Sequence, residues 1–422
     1  MNKKLALRTG IGLAVIVGLI IGYAKFSKYS LDTEIDKSYN TAGMIAAVQN
    51  NDMGSRAVVF NPSGEKIESS GYTEGKSDSD VSWSKDGSLI YFSSNRESDA
   101  YNIYRWTPTT NKVERRSLGG RSQSSPVFDL SDYPDEEKTG LVVSGGQVYR
   151  YIPRMKAMEQ LLPPVAVGGV IGEEGGRQSM MAVYDRIGEN FRQAAWGPDH
   201  ETIFTVMGRE DGSEVFVVNW LKADDQGVIR PPQPLFAGDH IQMEVGADGR
   251  ALVAVQNFQF PDLEKIDPQF LKDGKVVLPF KHCVCDVVIA PDGAALFMPI
   301  MRFASDKELV WDIALSPDGS EFVATGGEMN GQDFVPRNLV LIERRVKMAA
   351  DEPPASVAII LDGKFGRPRW SPDGQRLVLL RDEEDGRRAL ITMRKDGGDL
   401  QVLSKPGEDY VMAAFSPQIP AE

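Results

Sequence analysis

The sequence predicts an all-β fold: a single β-propeller of four-stranded antiparallel blades preceded by one transmembrane helix. Seven blades fit the count best, with eight and six as alternatives. Three observations carry this. First, one hairpin is written several times. Val81-Ser82-Trp83-Ser84-Lys85-Asp86-Gly87-Ser88-Leu89-Ile90-Tyr91-Phe92 returns as Pro368-Arg369-Trp370-Ser371-Pro372-Asp373-Gly374-Gln375-Arg376-Leu377-Val378-Leu379. An apolar run enters, a Ser-Pro-Asp-Gly-like turn reverses it, and a second apolar run leaves. Ser or Asp opens a type I turn, Pro presets φ at the next position, and Gly takes the left-handed position. Second, the copies recur at blade-like intervals. Third, an apolar segment behind a cationic N-terminus opens the chain.

Looser copies stand at Trp196-Gly197-Pro198-Asp199-His200, Gly246-Ala247-Asp248-Gly249, Ala290-Pro291-Asp292-Gly293 and Ser316-Pro317-Asp318-Gly319. Phe128-Asp129 is a worn copy and Phe415-Ser416-Pro417 half of one. With Asp as the marker, successive steps from Asp86 are 43, 70, 49, 44, 26 and 55 residues, and Asp373 to Gln418 is 45. Most match the roughly 40–50 residues of one four-stranded blade. The 26-residue step is too short for a blade and reads as a reduced blade or an extra hairpin. The structural turn residues expected from the repeat are Asp86, Gly87, Asp248, Gly249, Asp292, Gly293, Asp318, Gly319, Asp373 and Gly374.

Trp83 to Arg96 reads Trp-Ser-Lys-Asp-Gly-Ser-Leu-Ile-Tyr-Phe-Ser-Ser-Asn-Arg. This resembles the WD-like repeat of the TolB-type β-propellers, and the resemblance extends over roughly residues 45–420. It implies the fold and little about activity, because propellers carry many unrelated functions. Related propellers include pectin lyases that use metal-bound His and the lids of prolyl-oligopeptidase-like hydrolases. No hydrolase domain follows the repeats here.

The formal charge is −13, from 47 basic and 60 acidic residues. That balance excludes a nucleic-acid backbone as the expected partner, which needs a basic stripe. It also excludes a polybasic membrane-surface mode. The 41 Gly and 25 Pro suit a chain of many turns. Two Cys cannot supply a disulfide framework.

Residues 1–26 are expected to form a transmembrane signal-anchor. Lys3, Lys4 and Arg8 precede the apolar run from Gly10 to Ala24, which with its flanks reaches the about 20 residues a bilayer needs. The cationic side favours a cytoplasmic N-terminus and an exported propeller. A cleaved signal peptide is the rival reading, but no Ala-x-Ala site follows. Gly10, Ala14, Gly18 and Gly22 make a stripe of small side chains on which another helix can pack closely. Residues 27–43 read as a linker, and 44–422 as the propeller. Strands at both of its ends, around Met44 to Phe60 and Tyr410 to Phe415, are expected to share one blade and close the ring, which removes bare edges.

The candidates for chemistry are few. His282-Cys283-Val284-Cys285-Asp286 puts two thiols on one strand face, where they read as core, with metal or a disulfide as rivals. The three His are His200, His240 and His282. Neither a Gly-x-Ser-x-Gly elbow nor a His-Glu-x-x-His motif occurs. The Gly-rich run from Val165 to Arg177 lacks a Lys-Ser/Thr ending and carries Glu173 and Glu174, so it reads as a loop rather than a phosphate cradle. Trp83, Trp196, Trp311 and Trp370 read as packing between blades.

The sequence is therefore expected to encode no enzyme and to need no cofactor or metal. Its expected role is a non-catalytic scaffold or accessory subunit on the outer side of a bacterial inner membrane. It would meet membrane or envelope proteins through the anchor helix and the propeller faces. The alternative is a carbohydrate- or peptide-binding or processing protein with its site at the central channel.

Overall fold

Period-2 strands joined by tight turns can bury both faces only by stacking sheet on sheet, and seven four-stranded antiparallel sheets do so here. The computed structural model describes residues 40–418 apart from loop segments, the longest being 129–139, 165–183, 223–229, 261–270 and 345–356. The expected anchor, its stripe Gly10, Ala14, Gly18 and Gly22, and residues 27–39 of the linker lie outside the described residues. Among the described residues, no helix is long and apolar enough to cross a membrane.

The chain opens with β1 (Ile45–Asn51), β2 (Gly54–Phe60) and β3 (Lys66–Ser69). The first complete blade is β4 (Asp78–Trp83), β5 (Ile90–Ser94), β6 (Asn102–Thr107) and β7 (Lys112–Arg115). The second is β8 (Gln123–Phe128), β9 (Gly140–Ser144), β10 (Gln147–Ile152) and β11 (Ala157–Leu162). The third is β12 (Asn190–Trp196), β13 (Thr202–Gly208), β14 (Glu214–Trp220) and β15 (Gln233–Gly238). The fourth has β16 (His240–Val245) and β17 (Ala251–Gln256), then a small hairpin of β18 (Leu271–Lys272) and β19 (Lys275–Val276), then β20 (His282–Ile289) and β21 (Ala295–Phe303). The fifth is β22 (Leu309–Leu315), β23 (Glu321–Asn330), β24 (Asp333–Glu343) and β25 (Val357–Asp362). The sixth is β26 (Phe365–Trp370), β27 (Arg376–Asp382), β28 (Arg388–Arg394) and β29 (Gln401–Val402). Last comes β30 (Asp409–Phe415), which pairs antiparallel with β1, Ile45 opposite Phe415, so the seventh sheet runs β30-β1-β2-β3.

The first strand of each sheet is innermost. These strands neighbour one another in order around the axis, β4, β8, β12, β16, β22, β26, β30 and back to β4. Apolar clusters fill the gaps between blades. Between the third and fourth, Phe204, Phe216 and Phe236 pack against Ile241, Val253, Cys283 and Cys285, all fully or nearly fully buried. Burying one such Phe contributes roughly 1.5–3 kcal/mol.

The 26-residue step has a plain explanation. The turn at Gly293 joins β20 to β21, the third and fourth strands of a blade, whereas the other copies join first to second. There is no reduced blade between 283 and 310. The same turn chemistry serves either hairpin, so the marker miscounted the step, and the insertion before β20 lengthened its blade.

Candidate functional site

The propeller has two faces, and the repeat hairpins occupy one of them. In each turn the Gly N–H closes an i+3 bond: Gly87 to Ser84 O, Gly249 to Gly246 O, Gly293 to Ala290 O, Gly319 to Ser316 O and Gly374 to Ser371 O, at 2.7–2.9 Å. All five glycines are left-handed, with φ between 66° and 77°. The Asp carboxylates are consumed locally. Asp86 Oδ1 accepts from Ser84 Oγ at 2.6 Å and Ser88 N at 3.1 Å. Asp318 and Asp373 repeat the pattern with Ser316 and Ser320, and with Ser371 and Gln375. Hydrogen bonds from Ser316 and Ser320 hold the Asp318 carboxyl below its ordinary range. Asp292 lies outside the described residues.

This turn face is also where blades are pinned together. Trp83 Nε1 donates to Ala414 O of the preceding inner strand at 3.1 Å, and Trp370 Nε1 to Ala314 O at 2.9 Å. Arg344, wholly buried, bridges the fifth blade to the fourth: it lies 2.6 Å from the buried Asp286 and 3.4 Å from Asp248. Arg250 joins the same two carboxylates at 3.0 and 2.7 Å. Burial alone would raise the Asp248 pKa, but the Arg250 hydrogen bonds and the charges of Arg344 and Arg250 outweigh it and lower it.

The opposite face, where the inner strands begin, is built differently. Six of the seven inner strands slip register near their third residue. The bulged residues are Asp80-Val81 in β4, Ser125-Pro126 in β8, Arg192 in β12, Trp311-Asp312 in β22, Arg367-Pro368 in β26 and Val411 in β30. Only β16 pairs without a break. A bulge leaves a residue out of the ladder and re-aims its side chain: Arg192 turns to Glu214 of β14, and Asp312 to the backbone of Arg367 in the next blade. Asp80 and Arg367 are left-handed, with φ of 54° and 51°, a conformation side chains other than Gly seldom adopt.

The bulged level is stitched from blade to blade. Gln193 Nε2 donates to Ile241 O at 3.2 Å, and Gln242 Oε1 accepts from Ile313 N at 3.0 Å. Asp312 Oδ2 accepts from Arg367 N at 2.8 Å, and Arg367 donates onward from Nη1 to Val411 O at 2.6 Å. Gly366 makes room for this. A Cβ there would stand 3.1 Å from Asp312 Oδ2.

One contact skips a blade. Arg369 of the sixth blade reaches Glu244 of the fourth at 3.1 Å, past the inner strand of the fifth. Glu244 keeps 28 % of its side chain accessible although protein surrounds it, so water-sized space lies beside it. Burial pushes the Glu244 pKa up, Arg369 pulls against that, and Asp312 adds to it. Burial likewise lowers the Arg367 pKa; Asp312 and Asp80 oppose this, while Arg388 and Arg369 reinforce it.

Trp311 packs between blades, as expected, but by stacking on a ring of the fourth blade rather than through an indole N–H bond like those of Trp83 and Trp370. It stands at the mouth, sandwiched between His240 (centroids 4.1 Å apart, 7° between planes) and Phe334 (5.0 Å, 14°). Burial lowers the His240 pKa against the pull of Glu214 and Asp312. His282 is buried apart from this group, its Nε2 3.1 Å from Asp306 Oδ1 and its Nδ1 accepting from Asn257 N. Cys283 and Cys285 are free and buried, with sulfurs 3.2 Å apart, and burial raises the Cys285 thiol pKa. His200 lies outside the described residues. Among the described residues, no three His, Cys, Asp or Glu gather as metal ligands.

Asp80, Asp312 and Arg367 stand at the bulged level, and Glu244 and Arg369 further along their strands towards the turns; the five come from four blades, and sequence reasoning missed them. One signal was present. Pro126 and Pro368 each stand two residues before the aromatic that ends an inner strand, and Pro inside a strand marks a bulge.

No protein-family model matches the sequence, and no curated protein matches it. Solved structures do. An oligogalacturonate lyase in complex with manganese superposes with a TM-score of 0.50 at 11 % identity, covering 86 % of this chain and 85 % of that one. TolB from Acinetobacter baumannii gives 0.48 at 13 % identity, covering 90 % and 68 %. A puromycin-hydrolyzing peptidase of Mycobacterium tuberculosis gives 0.49 at 10 %, covering 86 % and 53 %. The likeness to the lyase speaks for the fold. It also corrects the expectation that the chain is no enzyme, because an oligogalacturonate lyase has this fold and is an enzyme. Missing linear motifs were poor grounds for it, since groups that meet at a propeller axis come from separate blades and leave no local signature.

Proposed function

We propose that this protein is a membrane-tethered, extracytoplasmic β-propeller that receives an extended peptide segment of an envelope partner at the mouth of its axial channel. One observation carries the reading: bulged inner strands from separate blades bring charged groups together, among them Asp80 and Arg367 in strained backbone. Strain of this kind concentrates at binding and catalytic sites. Bulges also release backbone N–H and C=O groups from the ladder, and an extended peptide can bond to such groups. The covered Trp311 favours a peptide over a sugar, because both of its ring faces are already occupied. The tether is the apolar N-terminal segment, with the chain oriented by Lys3, Lys4 and Arg8. Photo-crosslinking from a probe at Gln242 in native membranes tests the reading. A discrete adduct lost in Arg367→Gln is expected; adducts only from a probe at Arg376 on the turn face would refute it.

A second reading rests on Glu244. A carboxyl with a raised pKa, near Asp312 inside a channel, is suited to proton transfer. In this reading the channel processes the peptide, or an oligosaccharide, with Glu244 as acid and base. Turnover of either class by the wild type, abolished in Glu244→Gln, would establish it. Unchanged substrate would dismiss it.

A further inference from the structure

We infer that the channel mouth recognises the terminal carboxylate of its peptide, with Arg367 as the group that grips it. The inference rests on the peptide-binding reading above and adds the chemistry of what is bound. An Arg guanidinium offers five donors in a planar fork that matches a carboxylate in two parallel hydrogen bonds. Among the described residues, the one side-chain hydrogen bond of Arg367 goes to Val411 O. Its backbone N–H is fastened to Asp312, and its left-handed backbone is fixed inside the bulge. The side chain is thus mounted rigidly while most of its donors stay open.

The neighbouring arginines are already committed: Arg369 to Glu244, and Arg388 to Asp409 at 3.4 Å. That leaves one open fork, enough for a single carboxylate. Asp80, Glu244 and Asp312 keep the surrounding field from being strongly positive, so a multiply charged anion such as a phosphate ester meets repulsion as well as attraction. A chain end also fits a site on an axis, where a strand can enter end-on with its main chain towards the bulged strands.

The test uses full-length protein in detergent and hexapeptide pools made without Asp or Glu and labelled through an amide with a BODIPY dye that carries no free acid, so that the C-terminus is the one carboxylate. One pool carries a free acid, the other a C-terminal amide. Fluorescence anisotropy is expected to show the free-acid pool binding at least roughly tenfold more tightly than the amide, the size of a lost charge-assisted pair. Arg367→Gln should erase the difference. Arg367→Lys, which keeps the charge and loses the fork, should retain only part of it, with all variants melting within a few degrees of the wild type. Equal binding of both pools, competed by unlabelled peptide and weakened in Asp80→Asn, would overturn the carboxylate inference and leave the peptide site standing. Binding of neither pool, with binding of labelled oligogalacturonate instead, would overturn both.

Discussion

The two faces of this ring solve opposite problems with the same strands. On the turn face the described carboxylates are answered close at hand: Asp86, Asp318 and Asp373 bond within their own hairpins, and Arg344 and Arg250 neutralise Asp286 and Asp248. On the mouth face the inner strands break their ladders and hold Asp80 and Arg367 in left-handed backbone, leaving donors open. Regular turn chemistry marks what stabilises the fold. Departures from that regularity mark the place proposed above for binding.

Substitutions can break this contrast, and the largest effect belongs to the buried network. Arg344→Ala leaves the buried Asp286 with Arg250 as its remaining partner. Removing one partner of a buried pair typically costs about 3–5 kcal/mol, and with Arg250 still in place denaturant titration should show a loss towards the lower end of that range. Arg367→Gln, by contrast, should move the denaturation midpoint little. Next comes Gly87→Ala. Its added Cβ would stand 2.7 Å from both Ser416 Oγ and Thr41 Oγ1, the two hydroxyls that close the chain ends over this turn, and it adds left-handed strain of about 1–2 kcal/mol. Gly374→Ala carries the strain alone, because its nearest neighbour is Pro317 at 3.8 Å. Calorimetry should therefore rank Gly87→Ala as the more damaging of the two.

The pH effect is the smallest. The Asp248 pKa is lowered in the folded state, so its contribution to stability is present above the unfolded carboxyl pKa and fades as pH falls through the folded value. Melting temperature should drop between about pH 4 and lower pH, and drop less in Asp248→Asn. An equal drop in the variant would remove Asp248 from the account.

The same contrast explains how much could be read from the sequence. Turn residues obey local rules, so Ser-Pro-Asp-Gly at 316–319 and 371–374 announced hairpins, and their spacing announced seven blades. The rule failed only where one chemistry serves two hairpins, at Gly293. The mouth was illegible because nothing local defines it. Glu244 and Arg369 are distant in sequence and meet only because the inner strands of the fourth and sixth blades converge towards one axis. Asp80 and Arg367 look like ordinary strand residues until the ladder slips beneath them. Trp311 packs between blades like Trp83 and Trp370, but at the other end of its strand: it lies four residues before Leu315, the end of β22, whereas those two end theirs.

One paired measurement bears most directly on the claim that binding belongs to the mouth and stability to the turns. Affinity for the free-acid peptide pool and melting temperature should be recorded side by side for Arg367→Gln and for Arg376→Gln, whose guanidinium pairs with Asp399 on the turn face. The account predicts lost affinity with unchanged melting for Arg367→Gln, and unchanged affinity for Arg376→Gln. Equal affinity loss in both variants, or loss only in Arg376→Gln, would contradict it.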